Sequence, residues 1–224
     1  MNTVLSRILE TQTVRTSTGQ ELPLHSHVEQ IEGELLERWI SDYKPMSVLE
    51  IGLAYGISAL YICDAIMRRS DVTYDIIDPY QSSDWQSCGI HHLDQAGFHG
   101  RYTFYEEPSE LCLPRLMAEG RHFDFAFIDG FHTFDHALVD FYFINRMLDV
   151  GGVIVFDDIP LPSIRKILAY VGAYPCYVPL PLPDEFQHNR VIRVRRMMNT
   201  PLTRIAGFLK IANDERPWDW FHEF

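Results

Sequence analysis

The sequence has few basic residues, and its cysteines are few and far apart. Lys and Arg number 19 against 31 Asp and Glu in 224 residues, so the formal net charge is −12. A field of this sign repels phosphate backbones and anionic lipid, which disfavours a nucleic-acid or membrane partner. The cysteines form no CxxC metal or redox motif, and we expect free thiols in a reducing cytosol at Cys63, Cys88, Cys112 and Cys176.

Long hydrophobic runs are also lacking. The first ten residues contain no apolar segment of signal-peptide length, and no later run approaches the roughly 20 residues that a membrane-spanning helix needs. We therefore expect a cytoplasmic protein. The chain is 46% hydrophobic and 22% charged, which is ordinary for a globular protein, and its length suits one domain or one domain with an appendage.

Apolar and amphipathic segments alternate along most of the chain. Residues 27–43 have apolar side chains at helical spacing, which predicts an amphipathic helix. Five short apolar segments predict strands, at 46–51, 72–77, 102–105, 123–128 and 152–156. Helices are predicted between and after them, at 56–69, 86–97, 109–119, 134–148 and 162–171. This alternation favours a parallel sheet that is covered by helices on both faces.

The pattern changes after Gly172. Residues 174–180 and 190–197 predict two strands, and the prolines between them predict a short turn and an antiparallel hairpin. Residues from 201 onward predict a basic amphipathic helix, followed by an aromatic tail that contains Trp218, Trp220, Phe221 and Phe224. Because so much aromatic surface is unfavourable in water, we expect the domain or a partner subunit in a homo-oligomer to bury the tail.

Acids and glycines stand where the predicted strands end, which is where ligands bind in open α/β sheets. The first strand runs into Glu50 to Gly56 (EIGLAYG), whose small residues let a ligand approach the backbone before a helix N-terminus. The second strand ends at Asp78, which is suitably placed to bind ribose hydroxyls. The arrangement predicts a nucleotide-like ligand. The alternative is that the glycines only make a tight turn and that Asp78 caps a loop.

The spacing of the glycines distinguishes two kinds of nucleotide site. The third glycine of the dinucleotide fingerprint G-x-G-x-x-G is missing, which weakens the case for a nicotinamide oxidoreductase. Glu50, Gly52 and Gly56, followed by Ser58, instead resemble motif I of class I S-adenosylmethionine-dependent methyltransferases, over roughly residues 28–197. The resemblance implies an α/β, Rossmann-like, doubly wound sheet that is mostly parallel with a C-terminal antiparallel hairpin. It implies a methyltransferase domain at 1–200 with N-terminal helices at 1–44, and a helical and aromatic tail at 201–224.

Further motifs narrow this resemblance. Residues 123–132 (FDFAFIDGFH), Asp140 and residues 148–158 (LDVGGVIVFDD) resemble O-methyltransferases of the catechol and macrolide-sugar kind. The resemblance implies that His132 is the general base and that a divalent metal, Mg²⁺ or Mn²⁺, is held by Asp129, Asp157 and Asp158. Three converging carboxylates would also repel one another without a cation. The alternative is that these aspartates cap helices and that His132 is a surface residue.

The cofactor contacts that the resemblance implies come from four strand ends: Glu50, Gly52, Ala54, Tyr55, Gly56, Ser58, Asp78, Glu107, Ser109 and Asp129. Glu107 and Ser109 would line the adenine ring, although Pro108 stands where the family usually has an acid. The implied function is methyl transfer from S-adenosylmethionine to a hydroxyl of a small molecule, whose pocket we expect in the loops at 80–100 and 180–190. A metal-independent methyltransferase and a non-catalytic cofactor-binding protein stay open as alternatives.

Overall fold

The computed structural model describes residues 1–66, 69–198 and 200–223. The strands are β1 (Thr13–Arg15), β2 (Glu21–Pro23), β3 (Ser47–Ile51), β4 (Thr73–Ile77), β5 (Thr103–Tyr105), β6 (Phe123–Ile128), β7 (Leu148–Phe156), β8 (Tyr177–Pro179) and β9 (Ala206–Lys210). The helices are α1 (Thr3–Thr11), α2 (Gln30–Tyr43), α3 (Ile57–Ile66), α4 (Cys88–Gln95), α5 (Ser109–Ala118), α6 (Phe134–Met147), α7 (Pro162–Gly172), α8 (Asp184–Gln187) and α9 (Arg190–Met197).

The main sheet has seven strands in the order β5-β4-β3-β6-β7-β9-β8, and β1 and β2 form a separate antiparallel pair. Strands β5, β4, β3, β6 and β7 are parallel, while β9 runs antiparallel to both β7 and β8. The predicted α/β sheet, mostly parallel with an antiparallel C-terminal pair, is therefore confirmed. The chain order reverses between β3 and β6, which is the switch point where ligands bind in such sheets.

Both faces of this sheet are buried. Val48 of β3 belongs to an apolar cluster that includes residues of α2 and α3, whereas its neighbour Leu49 belongs to a second cluster with residues of α5, α6 and α7. Successive residues of a strand point to opposite faces, so a strand that is apolar at every position must be covered on both sides. The central strands are apolar at successive positions because both faces of the sheet are buried.

Two predicted elements near the C-terminus are wrong. Residues 190–197 form helix α9, in which the Asn189 side chain accepts a hydrogen bond from the Val191 amide and Ile192 is buried. The expected helix after residue 201 contains strand β9, which pairs with β7 over Val153–Phe156. The partner of β8 is thus β9, and residues 180–205 with two helices replace the expected short turn.

The aromatic tail is only partly packed. Trp220 lies against Tyr174, with ring centroids 5.8 Å apart, and the Arg216 guanidinium lies 3.4 Å from the Tyr174 centroid. Trp218 and Phe221 are 92% and 88% exposed, so their expected burial against the catalytic domain is wrong. Burial by a partner subunit stays a prediction, and Phe224 lies outside the described residues.

Three further expectations concern the cysteines, membrane spans and the end of α3. All four cysteines are buried and unpaired, as their spacing predicted. Within the part of the chain that the structure describes, no helix combines the length and apolarity needed to cross a membrane. The helix predicted over 56–69 is α3, which ends at Ile66; residues 67 and 68 lie outside the described residues, and Arg69 is not helical.

Candidate functional site

The register of the parallel strands brings the predicted acids to one edge of the sheet. Ile51 of β3 pairs with Ile77 of β4 and with Ile128 of β6, so the residues that follow them, Gly52, Asp78 and Asp129, lie at adjacent strand ends. Ile128 pairs in turn with Phe156 of β7, which places Asp157 beside Asp129. The predicted convergence of these residues is confirmed.

A cleft of about 650 Å³, open to solvent, lies over these strand ends. Gly52 and Ala54 line it, as do Asp129 and Gly130. Side chains from the loops complete the walls: Asp78, Tyr80, Trp85, Ser109 and Phe131. The loop after β4 thus contributes to the cleft as expected, whereas none of the residues at 180–190 lines it.

Gly52 makes the tight approach between β3 and the loop after β6. Its φ is +91°, and a Cβ atom at this position would lie 2.0 Å from the backbone oxygen of Asp129. The Asp129 amide donates a 2.8 Å hydrogen bond to the Ile51 carbonyl oxygen, which holds the two segments together. Only glycine fits both the left-handed backbone and this contact.

Asp78 connects the end of β4 to the glycine-containing turn. Its Oδ2 accepts hydrogen bonds from the amides of Leu53 (2.9 Å) and Ala54 (2.8 Å), and its Oδ1 accepts one from Tyr80 (2.8 Å). The carboxylate is 3% exposed and lines the cleft. Its loop-capping role is therefore present, and Oδ1 accepts one hydrogen bond from the described residues where a carboxylate oxygen can accept two.

Glu50 lies behind the turn instead of lining the cleft. It is fully buried, and the Tyr74 hydroxyl donates a hydrogen bond to its Oε2. Burial raises the pKa of the Glu50 carboxyl to about 7. Tyr55 and Ser58 line a small recess on the other side of the turn, together with Asp129. Glu50, Tyr55 and Ser58 therefore support the glycine-containing turn and do not themselves line the cleft.

The two residues predicted to line an adenine ring differ in position. Ser109, the first residue of α5, lines the cleft. The Glu107 carboxylate instead forms an ion pair with Arg115, and Glu107 does not line the cleft. His92 of α4 is also absent from the walls, because it is fully buried and its Nδ1 lies 2.8 Å from the Tyr55 backbone oxygen.

The acid cluster lies beside the cleft and shares Asp129 with it. One side-chain donor atom each from Asp129, His132 and Asp157 lies within 4.8 Å of the others, and His132 Nε2 is 3.3 Å from Asp129 Oδ1. Burial, followed by the Asp129 charge, raises the pKa of Asp157 to about 9. Burial likewise raises the pKa of Asp129, reinforced by Glu50 and Asp158. The Arg204 charge opposes the shift at Asp129, but burial and the neighbouring acids outweigh it.

Asp158 is brought to the cluster but has its own partner. Its carboxylate forms an ion pair with the Arg204 guanidinium. The Arg204 backbone is held on both sides, since its amide donates to buried Glu32 (2.9 Å) and its carbonyl oxygen accepts from the Ile159 amide (2.9 Å). Sequence reasoning missed Arg204 because its segment was expected to be part of a helix, and no local motif marks it.

Comparisons with known proteins support the assignment of the fold and the domain. Residues 49–159 match a methyltransferase domain family. The chain is 26% identical over 135 residues to caffeoyl-CoA O-methyltransferase of Stellaria longipes (57% of this chain, 52% of that protein). It is 26% identical over 144 residues to catechol O-methyltransferase of Mus musculus (62% and 52%). The chain thus spans about half the length of the curated relatives it matches.

A structural likeness covers nearly the whole chain. The O-methyltransferase from Bacillus cereus, solved in complex with SAH, superposes with a TM-score of 0.68 at 16% identity, covering 94% of this chain and 92% of that one. At this identity the likeness shows the fold, which is that of class I methyltransferases. Together with the domain match, it agrees with the resemblance that the motifs indicate: residues 49–159 are similar to a methyltransferase domain, and the chain has the fold of the O-methyltransferases it matches.

Proposed function

We propose that this protein transfers the methyl group of S-adenosylmethionine to a hydroxyl of a small-molecule acceptor, with the assistance of a divalent metal. The observation that carries the proposal is that Asp129 belongs both to the cleft and to the acid cluster. A methyl donor in the cleft and a hydroxyl at the cluster would therefore be neighbours. Catalysis would come largely from this positioning, because a sulfonium donor is already reactive.

The cleft walls suit the parts of S-adenosylmethionine. Asp78 would bind the ribose hydroxyls through its Oδ1, and Ser109 would lie at the adenine end. The turn from Gly52 to Gly56 would hold the amino-acid end, where the backbone can approach the ligand closely. The matched structure from Bacillus cereus contains SAH, which supports the same class of ligand here.

The residues of the acid cluster fit a divalent cation. Asp129 and Asp157 are adjacent carboxyls with raised pKa values, and in the described ranges no Lys or Arg forms an ion pair with either. Hard oxygen ligands of this kind suit Mg²⁺ or Mn²⁺. Asp129 and Asp157 would hold the ion, joined by Asp158 once Arg204 releases it. When bound, the ion would neutralise the acids and make an acceptor hydroxyl more acidic.

His132 would accept the proton of the acceptor hydroxyl. Its Nε2 is buried and has no hydrogen-bond partner among the described residues, although it lies 3.3 Å from Asp129 Oδ1 and 3.7 Å from Asp158 Oδ2. An imidazole nitrogen that carries a lone pair can accept a proton from a hydroxyl within hydrogen-bond reach. The adjacent carboxylates would stabilise the imidazolium that results.

The function is tested by a methyl-transfer screen over diols, catechols and sugars, run with Mg²⁺ and with chelator. We expect turnover of at least one acceptor class with Mg²⁺. Binding of SAH without turnover of any acceptor would favour the non-catalytic alternative. Tight binding of NAD with no binding of SAH would contradict the proposal.

Asp78→Ala is expected to weaken SAH binding by about 10- to 100-fold, because the ribose would lose its acceptor and the turn would lose two hydrogen bonds. Isothermal titration measures the change. Asp84→Ala is the matched control, since Asp84 is an exposed aspartate in the following loop, and it should bind SAH like wild type. Equal affinity in Asp78→Ala and wild type would remove Asp78 from the cofactor site.

His132→Gln is expected to lower kcat by about 100-fold or more, as expected for the loss of a general base. Mn²⁺ affinity, measured by titration, should stay within about threefold of wild type, because a base does not ligate the ion. His122→Gln, which changes an exposed histidine, should keep wild-type turnover. A loss of Mn²⁺ affinity parallel to the loss of kcat would instead make His132 a ligand.

Arg204→Ala is expected to bind Mg²⁺ about 3- to 10-fold more tightly at low salt, since a positive charge beside the site is removed and Asp158 is freed. The backbone bonds of residue 204 are independent of its side chain, so the loop should keep its position. Arg193→Ala, which changes an exposed arginine of α9, controls for net charge. Weaker binding in Arg204→Ala would show that the guanidinium supports the site.

A further inference from the structure

Arg204 brings a positive charge to a site whose other charged groups are mainly acids. The charged side chains that line the cleft are Asp78, Glu110 and Asp129, and none of the described lysines or arginines lines it. Arg204 lies at the acid cluster, where its guanidinium forms an ion pair with Asp158. Among the described residues, it is therefore the basic side chain with which this site could bind an anion.

Most of the Arg204 guanidinium is not engaged by the protein. One nitrogen, Nη2, donates a hydrogen bond to Asp158 Oδ1, and the side chain makes no other hydrogen bond to the described residues. The side chain is also 44% exposed. A guanidinium has five N–H donors in a planar fork, which can bind a carboxylate through two parallel hydrogen bonds. Donors therefore remain for an anionic ligand while Asp158 is still bound.

Arg195 of α9 shows a different arrangement. Its Nη1 donates to Glu32 (2.9 Å), its Nη2 donates to Glu29 (2.8 Å), and its side chain is mostly buried. Two acids thus match its charge, and its role is to hold α9 against α2. The same Glu32 oxygen accepts a hydrogen bond from the Arg204 amide (2.9 Å). The backbone that carries the Arg204 guanidinium is therefore fixed, although the guanidinium itself is open to solvent.

Asp158 places this guanidinium near the proposed base. Its Oδ1 bonds to Arg204, and its Oδ2 lies 3.7 Å from His132 Nε2. Since a single carboxylate separates the two groups, one small molecule could reach both of them. Its hydroxyl would lie at His132 and a second group would lie at Arg204. An anion would gain most at this second position, because a guanidinium is positively charged and only donates hydrogen bonds.

We propose that Arg204 binds a carboxylate of the acceptor, so that the enzyme selects hydroxy acids over neutral hydroxyl compounds. The inference rests on the proposed function, because it concerns the acceptor of that reaction. It accounts for an arginine beside a site where its charge opposes the binding of a divalent cation. A cationic acceptor is disfavoured for the same reason, since its charge would lie against the guanidinium.

The test compares acids with their amides as acceptors, because the two differ by one charge at nearly the same shape. The pairs are glycerate, protocatechuate and glucuronate, each with its amide. Titration calorimetry measures binding to the SAH complex at saturating Mg²⁺, and turnover with S-adenosylmethionine is followed for the same compounds. We expect at least one acid to bind about 10-fold or more tightly than its amide, since the amide loses the charge-assisted bonds to Arg204.

Arg204→Gln should abolish this preference, while the affinity for the amide stays within about threefold of wild type. A purely structural role would lower both affinities together. Arg204→Lys should keep part of the preference, because the charge remains and the planar fork is lost, and it carries the test if Arg204→Gln does not fold. Arg193→Gln, which changes an exposed arginine of α9, is the matched control and should keep the full preference.

Three outcomes would count against these proposals. Turnover of neutral acceptors without a preference for any acid would overturn the inference alone. So would an acid preference that is unchanged in Arg204→Gln, because the acid would then bind through another group. Binding of SAH without turnover of any acceptor would instead contradict the proposed function.

Discussion

Asp157→Asn is expected to lower kcat by about 100- to 1,000-fold while SAH affinity stays within about threefold of wild type. The residue is 8% exposed and lies beside Asp129 in the cluster, whereas the cleft walls that would hold the cofactor do not include it. The loss should therefore fall on the step at the acceptor hydroxyl and not on donor binding. Chelator should reproduce the effect in wild type, and Mg²⁺ or Mn²⁺ should reverse it.

The same variant is expected to change how stability depends on pH in the metal-free protein. The unfolded Asp157 carboxyl ionises near its ordinary pKa of 3.8, while the folded one keeps its proton until the pH reaches about 9. The folded state thus binds the extra proton between these values, so stability falls as the pH rises through this window. Asn has no proton to lose, and the part of this fall that is due to Asp157 should disappear.

Melting temperatures of wild type and Asp157→Asn, measured in chelator from pH 5 to pH 9, test this linkage. The melting temperature of the variant should rise steadily relative to that of wild type as the pH increases. Asp84→Asn, which removes an exposed aspartate that forms no ion pair with the described residues, serves as the control and should track wild type at every pH. Full turnover of wild type in excess chelator would contradict the proposed metal dependence and leave His132 as the base of a metal-independent enzyme.

The central strands and the glycine turn could be predicted because their signals are local. Five short apolar runs, each bounded by turn residues or an amphipathic segment, correspond to β3 through β7 within a few residues. The convergence of Asp78, Asp129 and Asp157 followed from topology alone, since parallel strands end at the same edge of a sheet. Once this edge of the sheet was identified, the residues that meet there could be predicted without knowing their side-chain contacts.

The C-terminal third was harder because tertiary pairing there overrides local preference. Residues 190–197 are rich in β-branched side chains yet form α9, where Arg195 reaches buried Glu32 at 2.9 Å. Strand β9 includes Gly207, whose missing side chain leaves room for Leu180 and Val155. Neither the Arg195 ion pair nor the packing at Gly207 is visible in a local sequence pattern. Arg204 lies between α9 and β9, so its position could not be predicted either.

Gly52→Ala is expected to reduce SAH binding by more than about 100-fold and to lower the free energy of unfolding by about 3 kcal/mol or more. The new Cβ would lie 2.0 Å from the Asp129 oxygen and 2.6 Å from its carbonyl carbon. Both are backbone atoms, so the end of β3 and the loop after β6 would have to separate. That movement would displace the turn and Asp129 together, and both belong to the proposed cofactor site.

Gly151→Ala separates this clash from the cost of the backbone conformation. Gly151 in β7 has the same φ of +91°, but a Cβ atom there would meet no atom within 4 Å. Only the left-handed penalty of about 1–2 kcal/mol applies to it, and SAH affinity should be unchanged. Chemical denaturation and calorimetry on both variants give the comparison. If Gly52→Ala costs no more stability than Gly151→Ala and still binds SAH normally, the close approach of the two loops does not shape the cofactor site.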